Sequence, residues 1–336
     1  MKRILILLAA AAIALCSCTQ KGFTIIGDIE GLDEGDINLL DAYGHTITSA
    51  VVQDGKFRFE GTVDKPCLAY INNVLGVRYP IDIPVMLENA RIRVTGNAAN
   101  QHIEIKGTKV NEDMVAYKMA KDALAPDDVD GYVNLIKSTF EENSDNILGA
   151  LLLTSLFGYV SDEEFLEYCD RVPDMFFEDE MYSHYRDLSR IRVDTAVGKG
   201  FVDIELDDKD GNTVKLSDVV KENKATALIF CASWAREVST FLKQYMETCS
   251  PYKDKGLTSY VVSLDSNTDQ WEQCIKEFNI FGHTFCDGYN KSKAESDKYG
   301  IDGMPRIILI DQKGNIVARG RSVSEIADVL GQIFKN

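Results

Sequence analysis

The spacing of apolar residues changes character twice along the mature part of this chain. From Phe23 to about Ile105, short segments alternate apolar and polar positions and are punctuated by glycine. This period of two predicts strands over Phe23–Gly27, Asp36–Leu40, Ala50–Val52, Lys56–Phe59, Ile81–Met86 and Arg91–Gly96. Asp54-Gly55 between Val52 and Lys56 predicts a hairpin turn. From Asn111 to about Arg192 the period becomes helical, with Tyr132, Leu135, Ile136 and Phe140 on one stripe. Ser161-Asp162-Glu163-Glu164 fits a capping box that opens a helix through Phe165, Leu166 and Cys169. Its acidic run Glu178-Asp179-Glu180 reads as a solvated face or a helix start.

From Gly200 onward, strand-like and helix-like segments alternate. Phe201–Leu206 and Thr213–Ser217 flank a turn. A buried strand, Ala225–Ala232, then leads to a helix over Arg236–Cys249 and a second strand over Leu257–Leu264. Trp271, Cys274, Ile275 and Phe278 mark another helix. Arg306–Asp311 and Asn315–Gly320 form a hairpin, and Ser322–Phe334 closes the chain as a helix. Right-handed crossovers place the Ala225–Ala232 strand centrally. The expected architecture is a multidomain α+β chain. It has a leader (1–17), a β-sandwich-like N-terminal module (18–108), a helical connector (109–195) and a C-terminal α/β domain (196–336).

The extreme N-terminus adds a location. Lys2 and Arg3 precede an apolar run, Ile4–Leu15, shorter than the roughly twenty residues of a membrane span but suited to a signal peptide. Leu15-Cys16-Ser17-Cys18 resembles a bacterial lipobox, which makes Cys18 the expected lipidated first residue. The bulky Leu15 makes Cys16 the poorer candidate. Lipid on Cys18 would hold the protein at a membrane without spanning it. Thr19, rather than an acid, after Cys18 favours the outer membrane facing the periplasm.

Composition is that of an ordinary folded protein of 336 residues, 45% hydrophobic and 26% charged, enough for about two domains. The formal charge is −17 and becomes two units more negative once Lys2 and Arg3 leave with the leader. Such acidity argues against nucleic acid as a partner. Beyond the leader and Cys18, six cysteines remain: Cys67, Cys169, Cys231, Cys249, Cys274 and Cys286. They are scattered rather than spaced as a small-protein disulfide framework. Cys169, Cys249 and Cys274 fall on apolar helix faces and read as buried thiols. His45, His102, His184 and His283 show no zinc spacing, so no metal is expected. Asp207, Asp208, Asp210 and Gly211 read as a β-turn, since Leu206 stands where a calcium loop needs an acid. No cofactor motif is present.

The element order from Gly200 to Asn336, with Trp234 at a strand end and Gly303-Met304-Pro305-Arg306 before a late strand, resembles TlpA/ResA-like thiol-disulfide oxidoreductases. The order GDIEG, DGKFRFEG, ENARIRVTG resembles the N-terminal domain of unknown function that often precedes thioredoxin-like domains in envelope lipoproteins. The first resemblance implies a thioredoxin-like fold, with residues 279–304 as the family's insertion. Trp234 then precedes the nucleophile position, and Pro305 is the cis-proline facing it. It also implies a peptide groove at Met304 and Pro305, where an extended substrate pairs with backbone. Ala235 and Val238 occupy the two reactive-cysteine positions, so the dithiol is missing and no catalytic residue is assigned with them. Arg236 and Glu237 fill the variable pair. One reading is a degenerate redox site serving binding or assembly, with envelope proteins or extended peptides as partners. The alternative is an oxidoreductase or peroxide-reducing relative using Cys231, four residues before Ala235, or Cys286, near His283.

Overall fold

A computed structural model describes residues 21–73 and 78–335. The leader and Cys18 lie outside the described residues. The described residues divide into two compact units, one ending at Ser183 and the other beginning at His184.

The first unit opens with eight strands: β1 (Phe23–Glu30), β2 (Gly35–Asp41), β3 (Thr46–Val52), β4 (Lys56–Gly61), β5 (Cys67–Asn73), β6 (Asp82–Leu87), β7 (Arg91–Asn97) and β8 (His102–Lys106). They form two four-stranded sheets, ordered β4-β1-β7-β8 and β3-β2-β5-β6. Strict alternation decides the layering. Phe23, Ile25 and Ile29 of β1 are buried with Ile37, Leu39, Ile71 and Val85 of the other sheet in one core. This is the β-sandwich that the period-two pattern predicts. Strand β5 lacks a clean alternation of apolar and polar residues, whereas β8 (HIEIK) keeps it to the end of the period-two region.

The Asp54-Gly55 turn departs from expectation. Both residues have positive φ, 50° and 72°, and Gln53 and Lys56 exchange two backbone hydrogen bonds of 2.9 Å. The tight turn therefore forms, but its ladder stops at that single bridge. β3 pairs with β2, whereas β4 pairs with β1. The turn is a corner between sheets rather than the tip of a hairpin, because Val52 and Phe57 bury into the shared core from opposite layers.

Helices α1 (Lys109–Asp122), α2 (Val129–Asn143), α3 (Ile147–Leu156) and α4 (Asp162–Cys169) follow, and α5 (Glu180–Asp194) runs across the division between the units. Ser161 caps α4, accepting from the Glu164 amide at 3.1 Å. The Glu164 carboxylate instead meets Lys137 at 2.7 Å. The acidic run before α5 is not merely a solvated face. Glu178 pairs with Lys65 at 2.9 Å, and Asp179 accepts from the Tyr43 hydroxyl at 2.5 Å. Both contacts tie the helices to the β module.

Asn111, fully buried in α1, does the same at the edge strand β6. Its amide accepts from the Met86 N–H at 2.9 Å and donates to the Met86 carbonyl at 2.8 Å. Those backbone groups have no further strand to pair with, so the side chain extends the ladder by one residue. Asn111→Leu leaves both unpaired and should cost about 2–4 kcal/mol. Urea unfolding of the full chain reads this directly, and an unchanged midpoint would remove Asn111 from that role.

The second unit contains β9 (Glu205–Asp207), β10 (Thr213–Lys215), α6 (Leu216–Glu222), β11 (Ala225–Cys231), α7 (Val238–Cys249), β12 (Leu257–Ser263) and α8 (Thr268–Phe278). It continues with β13 (His283–Phe285), α9 (Lys291–Asp297), β14 (Arg306–Asp311), β15 (Ile316–Gly320) and α10 (Ser324–Phe334). The main sheet is ordered β13-β12-β11-β14-β15. β11 lies centrally, parallel to β12 and antiparallel to β14. Every residue of β11 is buried, because both faces are covered. Ala227, Ile229 and Cys231 pack with α7, α8 and α10, while Leu228 and Phe230 pack with α6 and Tyr299.

The stretch 279–304 contributes a strand, β13, and a helix, α9, to the fold. One boundary differs from the sequence reading. α7 begins at Val238 rather than Arg236, which leaves Trp234 to Glu237 as a turn. The Asp207–Asn212 segment is the expected turn: Asp208 accepts from the amides of Asp210 and Asn212, each at 2.9 Å.

Candidate functional site

At its C-terminal end, β11 delivers the chain into the Ala232–Glu237 turn. The Ala235 amide donates to the Ala232 carbonyl at 3.0 Å, and the Val238 amide to the Ala235 carbonyl at 3.1 Å. The turn is braced from below by Asp265, which is 1% exposed. Its carboxylate accepts from the Ser233 amide (2.9 Å), the Ser233 hydroxyl (2.7 Å) and the Ser263 hydroxyl (2.7 Å). Three donors on one buried carboxylate compensate much of its desolvation. They also tie the turn to the end of β12.

Above this brace, side chains separate by character. Trp234 projects outward, 64% exposed, whereas Ala235, just before α7, and Val238, its first residue, are buried in the core. Met304 packs against the edge of that core, and the Met304-Pro305 bond is cis. Together, Trp234, Ala235, Arg236, Tyr289, Ile301 and Met304 line a groove of about 430 Å³. Pro305 is buried at its edge.

Asp302 also reaches the groove, but three arginines hold it. Arg192 contacts it at 2.5 Å, Arg306 at 2.7 Å and Arg321 at 3.7 Å. Burial alone would raise the Asp302 carboxyl; the Arg306 hydrogen bond and the charges of Arg192 and Arg306 outweigh burial and hold it below the usual range. This cluster fixes the segment immediately before Met304-Pro305.

The structure does not bring Cys231 or Cys286 into the groove, whose described lining carries no cysteine. Cys231 is fully buried, and burial pushes its thiol well up, with Cys274, Asp265 and Cys286 adding to the effect. Burial also raises Cys286 despite hydrogen bonds from Ser263 and Gly288, and it raises Cys274 to about 11 and Cys249 to about 12. His283 does not assist Cys286. It stacks on Phe285 with a 6.4 Å centroid separation, while the Cys286 thiol donates to the Asp265 carbonyl at 3.7 Å. Alternation along β13 puts the two side chains on opposite faces.

Sequence reasoning missed Asp265, Tyr289 and the arginines on Asp302. For Asp265 a signal was available, an acid directly after a buried strand. The others depend on tertiary placement.

A central β11 followed by a turn and α7, with a cis-proline across the groove, defines a thioredoxin-type unit. Residues 197–319 match the AhpC/TSA family, and residues 23–114 match DUF4369, a domain of unknown function. The second unit is accordingly similar to TlpA/ResA-like thioredoxin-fold proteins, and the first carries the DUF4369 match. The thiol-disulfide oxidoreductase ResA of Oceanobacillus iheyensis is 31% identical over 124 residues, covering 36% of this chain and 62% of that protein. ResA of Bacillus thuringiensis is 26% identical over 122 residues, 36% of this chain and 67% of its own. The thioredoxin domain of a thiol-disulfide oxidoreductase from Bacteroides vulgatus aligns with 27% identity over 41% of this chain and 98% of that domain, with a TM-score of 0.38.

Two outcomes follow from this geometry. Asp265→Ala removes the acceptor for three donors and should lower stability by about 2–4 kcal/mol in urea; an unchanged midpoint would show that the carboxylate is not the brace. Raised thiol pKa values keep Cys231, Cys274 and Cys286 protonated near neutrality. Iodoacetamide at about pH 7 should label them slowly in the native protein, faster as pH rises, and rapidly after unfolding. Fast native labelling of Cys231 or Cys286 would contradict the environments described.

Proposed function

We propose that this chain is a lipid-anchored protein of the cell envelope whose thioredoxin-type unit binds extended peptide or protein segments without dithiol chemistry. One observation carries the reading: Trp234 and the cis Met304-Pro305 frame an open groove, while the two reactive positions hold Ala235 and Val238, packed into the core. Disulfide exchange needs an attacking thiolate and a second thiol to resolve the mixed disulfide. Neither alanine nor valine can ionise.

Recognition has different requirements. An extended segment pairs with exposed backbone and places alternate side chains in shallow pockets. Trp234 supplies a broad apolar face with little conformational entropy to lose, and Met304 is adaptable. Anchoring is supported by the order of Lys2-Arg3, the apolar run and Leu15-Cys16-Ser17-Cys18, and the outer membrane facing the periplasm by Thr19.

The relatives named as thiol-disulfide oxidoreductases make catalysis the property to test. Purified protein should not accelerate dithiothreitol-driven reduction of insulin above the uncatalysed rate. Robust turnover, abolished by Cys231→Ala or Cys286→Ala, would replace the binding reading with an oxidoreductase using a relocated thiol.

A further inference from the structure

We infer that the groove selects extended segments carrying an acidic side chain next to an apolar or aromatic one, with Arg236 as the specificity-determining residue. The inference rests on the peptide-binding reading above and goes further by naming the chemistry of the segment.

The charges at the groove are unequal in availability. Its lining includes Arg236, Lys293 and Asp302. Lys293 is occupied by Asp297, four residues along α9. Asp302 is occupied by Arg192, Arg306 and Arg321. Arg236 is exposed and has no ion pair among the described residues. A ligand in the groove therefore meets one uncommitted charge, and it is positive. The surrounding protein carries −17 overall, so this is a local exception to the field of the molecule. A carboxylate can take the guanidinium in a two-point contact. A ligand cation would be repelled by Arg236 and would find Asp302 already neutralised.

The apolar half of the preference comes from two aromatics. Trp234 is 64% exposed and Tyr289 is 46% exposed, and both line the groove. Tyr289 sits at φ 73°, directly after Gly288 at φ 73°. A left-handed backbone at an aromatic residue costs stability and persists only where the surroundings impose it. Here Asp287 imposes it by accepting from the amides of Asn290 (3.2 Å) and Ser292 (2.9 Å) and from the Ser292 hydroxyl (2.6 Å). The loop thereby presents an aromatic side chain to the groove that Trp234 enters from the other loop. Both rings line the same groove, and Arg236 is adjacent to Trp234 in the chain.

The test uses two blocked nonapeptides of alternating alanine and valine with a leucine beside the central residue, one with glutamate at the centre and one with lysine. Binding to the full-length protein is read from Trp234 fluorescence, since Trp271, the other tryptophan, is buried. The glutamate peptide should bind about tenfold more tightly than the lysine peptide. Arg236→Gln should abolish that ratio, and Arg236→Glu should invert it. Tyr289→Gly, which accepts the left-handed backbone, should retain the fold by circular dichroism and weaken both peptides. Equal affinities that ignore Arg236 would overturn the acidic preference while leaving peptide binding intact. No fluorescence change with either peptide up to about 1 mM would overturn the peptide-binding reading and this inference with it. Binding unaffected by Tyr289→Gly would place the peptides elsewhere and overturn the assignment to this groove.

Discussion

The buried carboxylate of Asp265 is the interaction on which the candidate site depends. The central strand β11 must release its chain at the sheet edge into a turn that is neither helix nor strand, and the turn's polar groups need partners away from water. Asp265 supplies them by accepting from the Ser233 amide and hydroxyl, and it also takes the Ser263 hydroxyl from the neighbouring strand. With the backbone fixed at Ser233, the direction of the next side chains follows. Trp234 turns to solvent, Ala235 turns to the core, and α7 starts at Val238.

The opposite wall of the groove is held by the same kind of device with the signs exchanged. There one carboxylate, Asp302, gathers Arg192, Arg306 and Arg321 from three separate segments of the unit. Arg192 and Arg306 are largely covered, so the pairs are less screened than surface ion pairs and sensitive to loss of the shared partner. Thus a shared acceptor braces each wall, and the open space between them is set by polar contacts rather than by packing alone.

Much of this was legible in the chain because the core obeys simple periods. The alternation of Phe23, Ile25 and Ile29 and the unbroken apolar run of β11 announced a sandwich and a central buried strand. Trp234, Ala235, Val238, Met304 and Pro305 could be placed because the element order around them is distinctive. The corner at Asp54-Gly55 was not legible as a corner. A tight turn has the same local chemistry whether its strands stay in one sheet or part into two, and only the long-range pairing of β3 with β2 and β4 with β1 decides. The occupants of Asp302 were hidden for a related reason: Arg192 lies 110 residues away in sequence from Asp302, and no local pattern links them. The exposed state of Arg236 follows from α7 starting two residues later than its periodicity suggests.

Recognition and redox chemistry at such a site are physically separable, because residues without a thiol, Ala235 and Val238, fill two buried positions there with the fold intact. A buried cysteine packs as a small hydrophobe, so methyl groups at the same places bury comparable apolar surface beside α7 and leave no polar atom unpaired. The fold therefore loses little without thiols. What disappears is the ionisable group at the mouth of the groove. The aromatic shelf of Trp234, the backbone at Met304-Pro305 and the two carboxylate braces do not depend on it, because none of their contacts passes through position 235 or 238 side chains. The acid-selective groove proposed above needs only what remains, a shaped apolar cleft and one guanidinium whose charge no neighbour has claimed.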